Sequence, residues 1–122
     1  MLSFVRDASG GYPLVYGTWV DPRGRVRRID GADIALSRLG SWVSPHTGTT
    51  WPAGWRVRIA SLGLDAVVQP TVADQELDTR ATTGVIYWEG SQVVTATRDG
   101  APLGGEAYVE LTGYAGAGGG TE

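Results

Sequence analysis

Apolar and polar residues alternate along most of the chain in short runs. Leu2–Arg6, Leu14–Val20, Arg25–Ile29, Trp55–Ala60, Leu64–Val72, Val85–Glu89, Gln92–Arg98 and Glu106–Ala115 each carry this two-residue period or a β-rich composition. Trp55, Val57 and Ile59 against Arg56 and Arg58 form the cleanest case. Such a period places one face of a strand in a core and the other in water. Turn residues separate the runs: Asp7-Ala8-Ser9-Gly10-Gly11, Asp21-Pro22-Arg23-Gly24, Asp30-Gly31, Ser61-Leu62-Gly63, Gly90 and Asp99-Gly100. Ala32–Leu39 is the one helical candidate, with Ile34, Leu36 and Leu39 near helical spacing, and Asp33–Arg38 can equally be read as a further strand.

The pattern predicts an all-β, antiparallel, up-and-down, lipocalin-like barrel of about eight or nine strands over residues 1–115, with a flexible Gly-rich tail at 116–122. Short connections make neighbours antiparallel, and closure removes exposed edges. A barrel of eight strands leaves room for one small ligand. At 122 residues the chain suits one domain with one core. The longest irregular stretch, 41–54, holds Trp42, His46, Trp51 and two prolines. A loop of that length is a candidate functional segment.

Composition narrows the function classes. Nineteen glycines fit many turns, and five Trp and five Tyr against one Phe suit a wall that is apolar on one side and wet on the other. No cysteine is present, which excludes disulfides and thiolate zinc sites. The net charge of −3 argues against nucleic acid as a partner. Residues 1–61 carry eight Arg and four acids, and residues 62–122 two Arg and nine acids, an asymmetry that paired strands can neutralise across the wall. No apolar stretch reaches the roughly 20 residues of a membrane helix, and Met1–Phe4 does not resemble a signal peptide, which leaves the compartment open. The single His46 makes no metal site by itself. No glycine-rich stretch opens a helix, so no phosphate loop is read. Neither cofactor nor metal is expected.

Three stretches, Trp42–Trp55 (WVSPHTGTTWPAGW), Tyr87-Trp88-Glu89-Gly90 after Asp74-Gln75-Glu76-Leu77, and Gly105–Ala115 (GEAYVELTGYA), resemble in order and spacing the carotenoid 1,2-hydratase family and the related AttH-like proteins. The resemblance covers about Phe4 to Ala115 and matches the C-terminal of two lipocalin-like barrels. It implies a bacterial barrel that binds an apolar, isoprenoid or polyene-like molecule. The alternative is a small lyase or cyclase that hydrates or cyclises such a molecule by acid catalysis. It also implies an N-terminal barrel in a longer parent. The match starts one strand late, so an open barrel edge is expected to close by homodimerisation or strand exchange.

Hydration of an alkene needs an acid in an apolar pocket. Tyr87 and Glu89 share one strand face and Trp88 the other. Either Tyr87 and Glu89 line the cavity, with Glu89 as acid, or Trp88 packs in the wall and Glu89 pairs with Arg56 or Arg58. In the last strand Glu106, Tyr108, Glu110, Thr112 and Tyr114 share a face opposite Ala107, Val109 and Leu111. An inward polar face would make Glu110 a second candidate acid and Tyr108 a ligand contact, whereas ordinary barrel alternation turns the apolar face inward. Trp19, Trp42, Trp51 and Trp55 are candidates to line or plug the barrel, and His46 to gate its mouth.

Overall fold

The computed structural model describes residues 1–115. Strand β1 (Leu2–Val5) pairs with β2 (Leu14–Val20), and β2 with β3 (Val26–Asp30), giving a three-stranded antiparallel sheet. A larger antiparallel sheet runs β11 (Ala101–Leu111), β10 (Ile86–Arg98), β8 (Leu64–Pro70), β7 (Trp55–Ile59), β4 (Ile34–Arg38), with β9 (Glu76–Asp78) added to β10. A small hairpin, β5 (Ser41–Val43) with β6 (Thr50–Pro52), forms a third sheet. The two larger sheets curl into a half-barrel whose inner faces supply Ile29, Trp55, Val57, Ile59, Trp88 and Leu111 to one core.

The turns follow from local chemistry. Asp7 and Asp21 each accept two backbone amides from the residues that follow, Ser9 and Gly11 in one case and Arg23 and Arg25 in the other. Asp99 and Gly100, both at positive φ (50° and 81°), join β10 to β11 in a two-residue hairpin whose twist matches the strands.

Four sequence expectations are corrected. Ala32–Leu39 is not a helix. Asp30 caps a single 3-10 turn at Gly31–Asp33, and β4 then pairs Ile34 with Ile59 and Leu36 with Val57, so burial of alternate residues overrides the helical spacing. Gly90 does not end a strand. β10 runs unbroken through it, because the residue is needed for space: a Cβ there would overlap the Gln75 side chain that donates to the Val72 and Ser91 carbonyls. The last strand stops at Leu111 rather than running to Ala115; Gly113 at φ 75° turns the chain, which takes Tyr114 off the outer face and sets its ring 5.5 Å from that of Trp51. The long segment 41–54 is a hairpin, not irregular. The predicted tail, 116–122, lies outside the described residues.

Of the strands at the sheet edges, β1 and β11 border the same opening. Met1 and Thr18 exchange both backbone bonds (2.8 and 2.9 Å), so along β1 it is Ser3 and Val5 that bond to β2, while the backbone groups of Leu2 and Phe4 look outward. By the same alternation, counted from the Arg98–Ala101 pair of the hairpin, β11 turns the backbone of Gly104, Glu106, Tyr108 and Glu110 away from β10. The expected open edge is thus a seam between β1 and β11.

Candidate functional site

Behind this seam lies a cavity of about 1300 Å³. It exceeds the few hundred to ~1,000 Å³ of most small-ligand pockets. Its inner wall is apolar: Leu36 of β4, Trp55 and Val57 of β7, Val68 of β8, and Val109 and Leu111 of β11. Leu2 and Phe4 border it from β1. Alternation explains the wall, since each of these residues lies on the inward face of its strand while Arg56, Arg58, Glu106 and Glu110 stay exposed.

One end of the seam is pinched. Arg6 Nη1 donates to the Gly113 carbonyl at 3.3 Å, and the Tyr12 and Tyr114 hydroxyls lie 3.3 Å apart. The Arg6 guanidinium sits 4.8 Å from the centre of the Tyr114 ring, and that of Arg38 5.8 Å from it. Burial pushes the Tyr114 phenol up to about 12, with the Tyr12 hydrogen bond acting in the same direction, so it stays neutral at ordinary pH.

Beyond the pinch the β5–β6 hairpin is clamped onto β9 through Glu76. Trp51, with no exposed surface, donates its indole N–H to Glu76 Oε2 at 2.7 Å. Ser44 donates to Oε1 at 2.7 Å, and the Thr47 hydroxyl lies 2.9 Å from Oε2. His46 Nε2 meets Asp74 Oδ2 at 2.8 Å on the exposed side of the same loop. That contact raises the imidazole above its usual 6.5 and holds the Asp74 carboxyl below its own.

The structure separates the residues singled out from sequence. Trp55 lines the cavity wall, and Tyr108 and Glu110 stand on its rim. Tyr108 is 67% exposed, and Glu110 faces outward, so the apolar side of the last strand is the inner one. Trp51 reaches the site through Tyr114. Trp42 pairs with Trp51 across the hairpin and is half-buried against the core, and Trp19 packs at the core edge under the Arg98 guanidinium, 5.0 Å away. Neither contacts the cavity. His46 is exposed and held by Asp74.

Tyr87 and Glu89 lie on the face opposite buried Trp88, whose indole donates to the Ala73 carbonyl at 2.9 Å. The reading that Tyr87 and Glu89 line the cavity is therefore not met. Its alternative is met only in part. Trp88 does pack in the wall, but Glu89 stands directly across from Glu110, and Arg56 is engaged by Asp65 at 2.8 and 2.6 Å. The Arg56–Asp65 pair does join the basic and acidic halves of the chain across neighbouring strands.

Sequence reasoning missed Arg6, Tyr12, Arg38 and Glu76. Arg6 and Gly113 are 107 positions apart, and only the folding of β1 toward β11 joins them. Glu76 had a local signal, since it sits in the Asp-Gln-Glu-Leu stretch that accompanies the hairpin motif.

This arrangement defines a lipocalin-like half-barrel with an apolar interior open along one seam. The chain belongs to the AttH-like family, which matches it over residues 1–114. A solved structure described as an AttH from Nitrosomonas europaea is similar at 32% identity over 93% of this chain, with a TM-score of 0.78. Kievitone hydratase from Nectria haematococca shares the fold at 17% identity over 80% of this chain, with a TM-score of 0.67. This chain spans 34% and 29% of those two proteins, about a third of their length. No curated protein matches the chain.

Proposed function

We propose that this domain is a binding half-barrel that holds an apolar small molecule of isoprenoid or polyene-like character behind the β1–β11 seam. The observation that carries this reading is the cavity of about 1300 Å³ walled by Leu36, Trp55, Val57, Val68, Val109 and Leu111. Burial of apolar surface stabilises such a complex by about 25 cal/mol per Å² before ordering costs.

Hydration or cyclisation by acid catalysis is the alternative, and the hydratase among the fold's solved members favours weighing it. It needs a protonated acid in apolar surroundings. Among the described residues the carboxylates bordering the cavity are Asp7 and Glu110, both exposed. The Ser9 hydroxyl and nearby backbone amides hold Asp7 below its usual carboxylate range, which keeps it ionised. Binding is the better-supported reading on that chemistry.

The test is titration with the neutral dye 1-N-phenylnaphthylamine. Fluorescence should rise saturably with the native chain. Leu36→Trp, which fills the cavity from the middle of β4, should weaken binding about tenfold or more while the β-sheet circular dichroism is retained. Unchanged binding in that variant would place the dye elsewhere and overturn the reading.

A further inference from the structure

Two guanidinium groups approach the Tyr114 ring at the pinched end of the cavity, and Arg6 is the one that borders the cavity itself. Arg6, just after β1, and Arg38, the last residue of β4, both approach the Tyr114 ring. Among the described residues neither takes part in an ion pair. The acid nearest in sequence, Asp7, is already engaged by the Ser9 hydroxyl and the Ser9 and Gly11 amides. Arg6 Nε is buried and has no hydrogen-bond partner among the described residues. A buried donor left unpaired is destabilising, and two like charges brought to one ring add repulsion. An anion at the reachable edge of the Arg6 guanidinium would offset both charges.

The Tyr12 and Tyr114 hydroxyls stand beside this point, and Arg6, Tyr12 and Tyr114 all border the cavity. The polar end and the apolar wall are therefore parts of one space. We infer that the cavity selects an amphipathic carboxylic acid, its carboxylate held by Arg6 beside Tyr114, with the Arg38 charge adding to the local positive field, and its hydrocarbon body laid along Phe4, Val109 and Leu111. This rests on the small-molecule reading of the cavity and adds the class of ligand. Guanidinium suits the role, because it presents fixed N–H forks to a carboxylate and remains charged at any working pH.

Two probes of equal chain length separate the head-group claim from the cavity claim: dodecanoate and dodecan-1-ol, each competed against phenylnaphthylamine at pH 8. The native chain should bind the acid about tenfold more tightly than the alcohol, since a charge-assisted pair is worth roughly that factor. Added salt should shrink the difference. Arg6→Gln should abolish the preference and leave alcohol binding in place. Arg38→Gln, at an exposed strand end, should reduce the preference without disturbing the fold, and so serves if Arg6→Gln fails to fold. Equal affinity for the two probes in the native chain would overturn the inference and leave the cavity reading standing. So would a preference that survives both substitutions. Binding of neither probe would remove both.

Discussion

The Trp51 indole N–H points at Glu76 Oε2 from 2.7 Å, across 25 residues of chain, and this bond fastens the β5–β6 hairpin to the main sheet. Ser44 and Thr47 add two hydroxyls to the same carboxylate, and Ser44 is itself buried. Removing the acceptor leaves the buried Trp51 and Ser44 donors unpaired.

Glu76→Ala is therefore expected to lower stability by about 2–4 kcal/mol in urea unfolding followed by tryptophan fluorescence. Glu76→Gln retains the shape and one acceptor oxygen but sets an amide N–H₂ against the donors, so its loss should be smaller. An alanine variant within about 0.5 kcal/mol of the native chain would show that the hairpin is held by apolar packing alone.

The neighbouring His46–Asp74 pair gives a pH dependence with a definite direction. Its folded imidazole value lies above 6.5, so the pair's stabilisation is complete below 6.5 and is lost as pH rises through the raised value. Asp74 acts at the other end: its contribution holds above its usual 3.8 and is lost as pH falls through its lowered value. Proton NMR titration of this single histidine should show the elevated value, and Asp74→Asn should return it toward 6.5. A titration unaffected by that substitution would mean the contact is not kept in solution.

Gly63 and Gly100 both have positive φ, 58° and 81°, but their surroundings differ. A Cβ at Gly63 would overlap the Asp99 carboxylate, and the Gly63 carbonyl also receives the Asp99 amide at 2.9 Å. A Cβ at Gly100 would meet nothing within 4 Å among the described residues. Gly100→Ala should cost only backbone strain, about 1 kcal/mol. Gly63→Ala should cost clearly more, about 2–3 kcal/mol, by adding the clash. Equal thermal midpoints for the two variants would contradict this.

The outward backbone groups of β1 and β11 predict association between copies. Pairing β11 with its own symmetry mate about Tyr108 would set Glu106 against Glu110, which like charges disfavour. Reciprocal pairing of β1 with the partner's β11 avoids this and satisfies both edges. Light scattering should show a concentration-dependent dimer. Tyr108→Pro, which removes an outward amide without touching the β10 ladder, should shift it to monomer. A monomer at every concentration would refute the pairing.

Much of the architecture could be read from the chain because it rests on period-two burial and on turns with local causes. Trp55-Arg56-Val57-Arg58-Ile59 alternates in the structure as in the sequence, and Asp99-Gly100 makes the turn its residues require. What escaped depends on long-range geometry. Whether Gly90 marks a turn or a space for Gln75 is decided by a neighbouring strand. The side taken by Glu89 depends on which face of β10 meets the core, and alternation alone leaves that choice open. The meeting of Arg6 and Arg38 at Tyr114 joins three remote segments, and the φ of Gly113 that aims the ring has no periodic signature.

The four-residue β1 is held by one neighbour only. A short edge strand lies at the low end of the range of local opening free energies, so it detaches well before the sheet around β10 unfolds. Since Leu2 and Phe4 border the cavity, detachment of β1 enlarges its entrance, and a molecule lodged inside opposes that detachment. Hydrogen exchange should register this directly: the amides of Ser3 and Val5 exchange early in the empty protein and slow in proportion to occupancy, which makes the least durable part of the wall the reporter of what the wall contains.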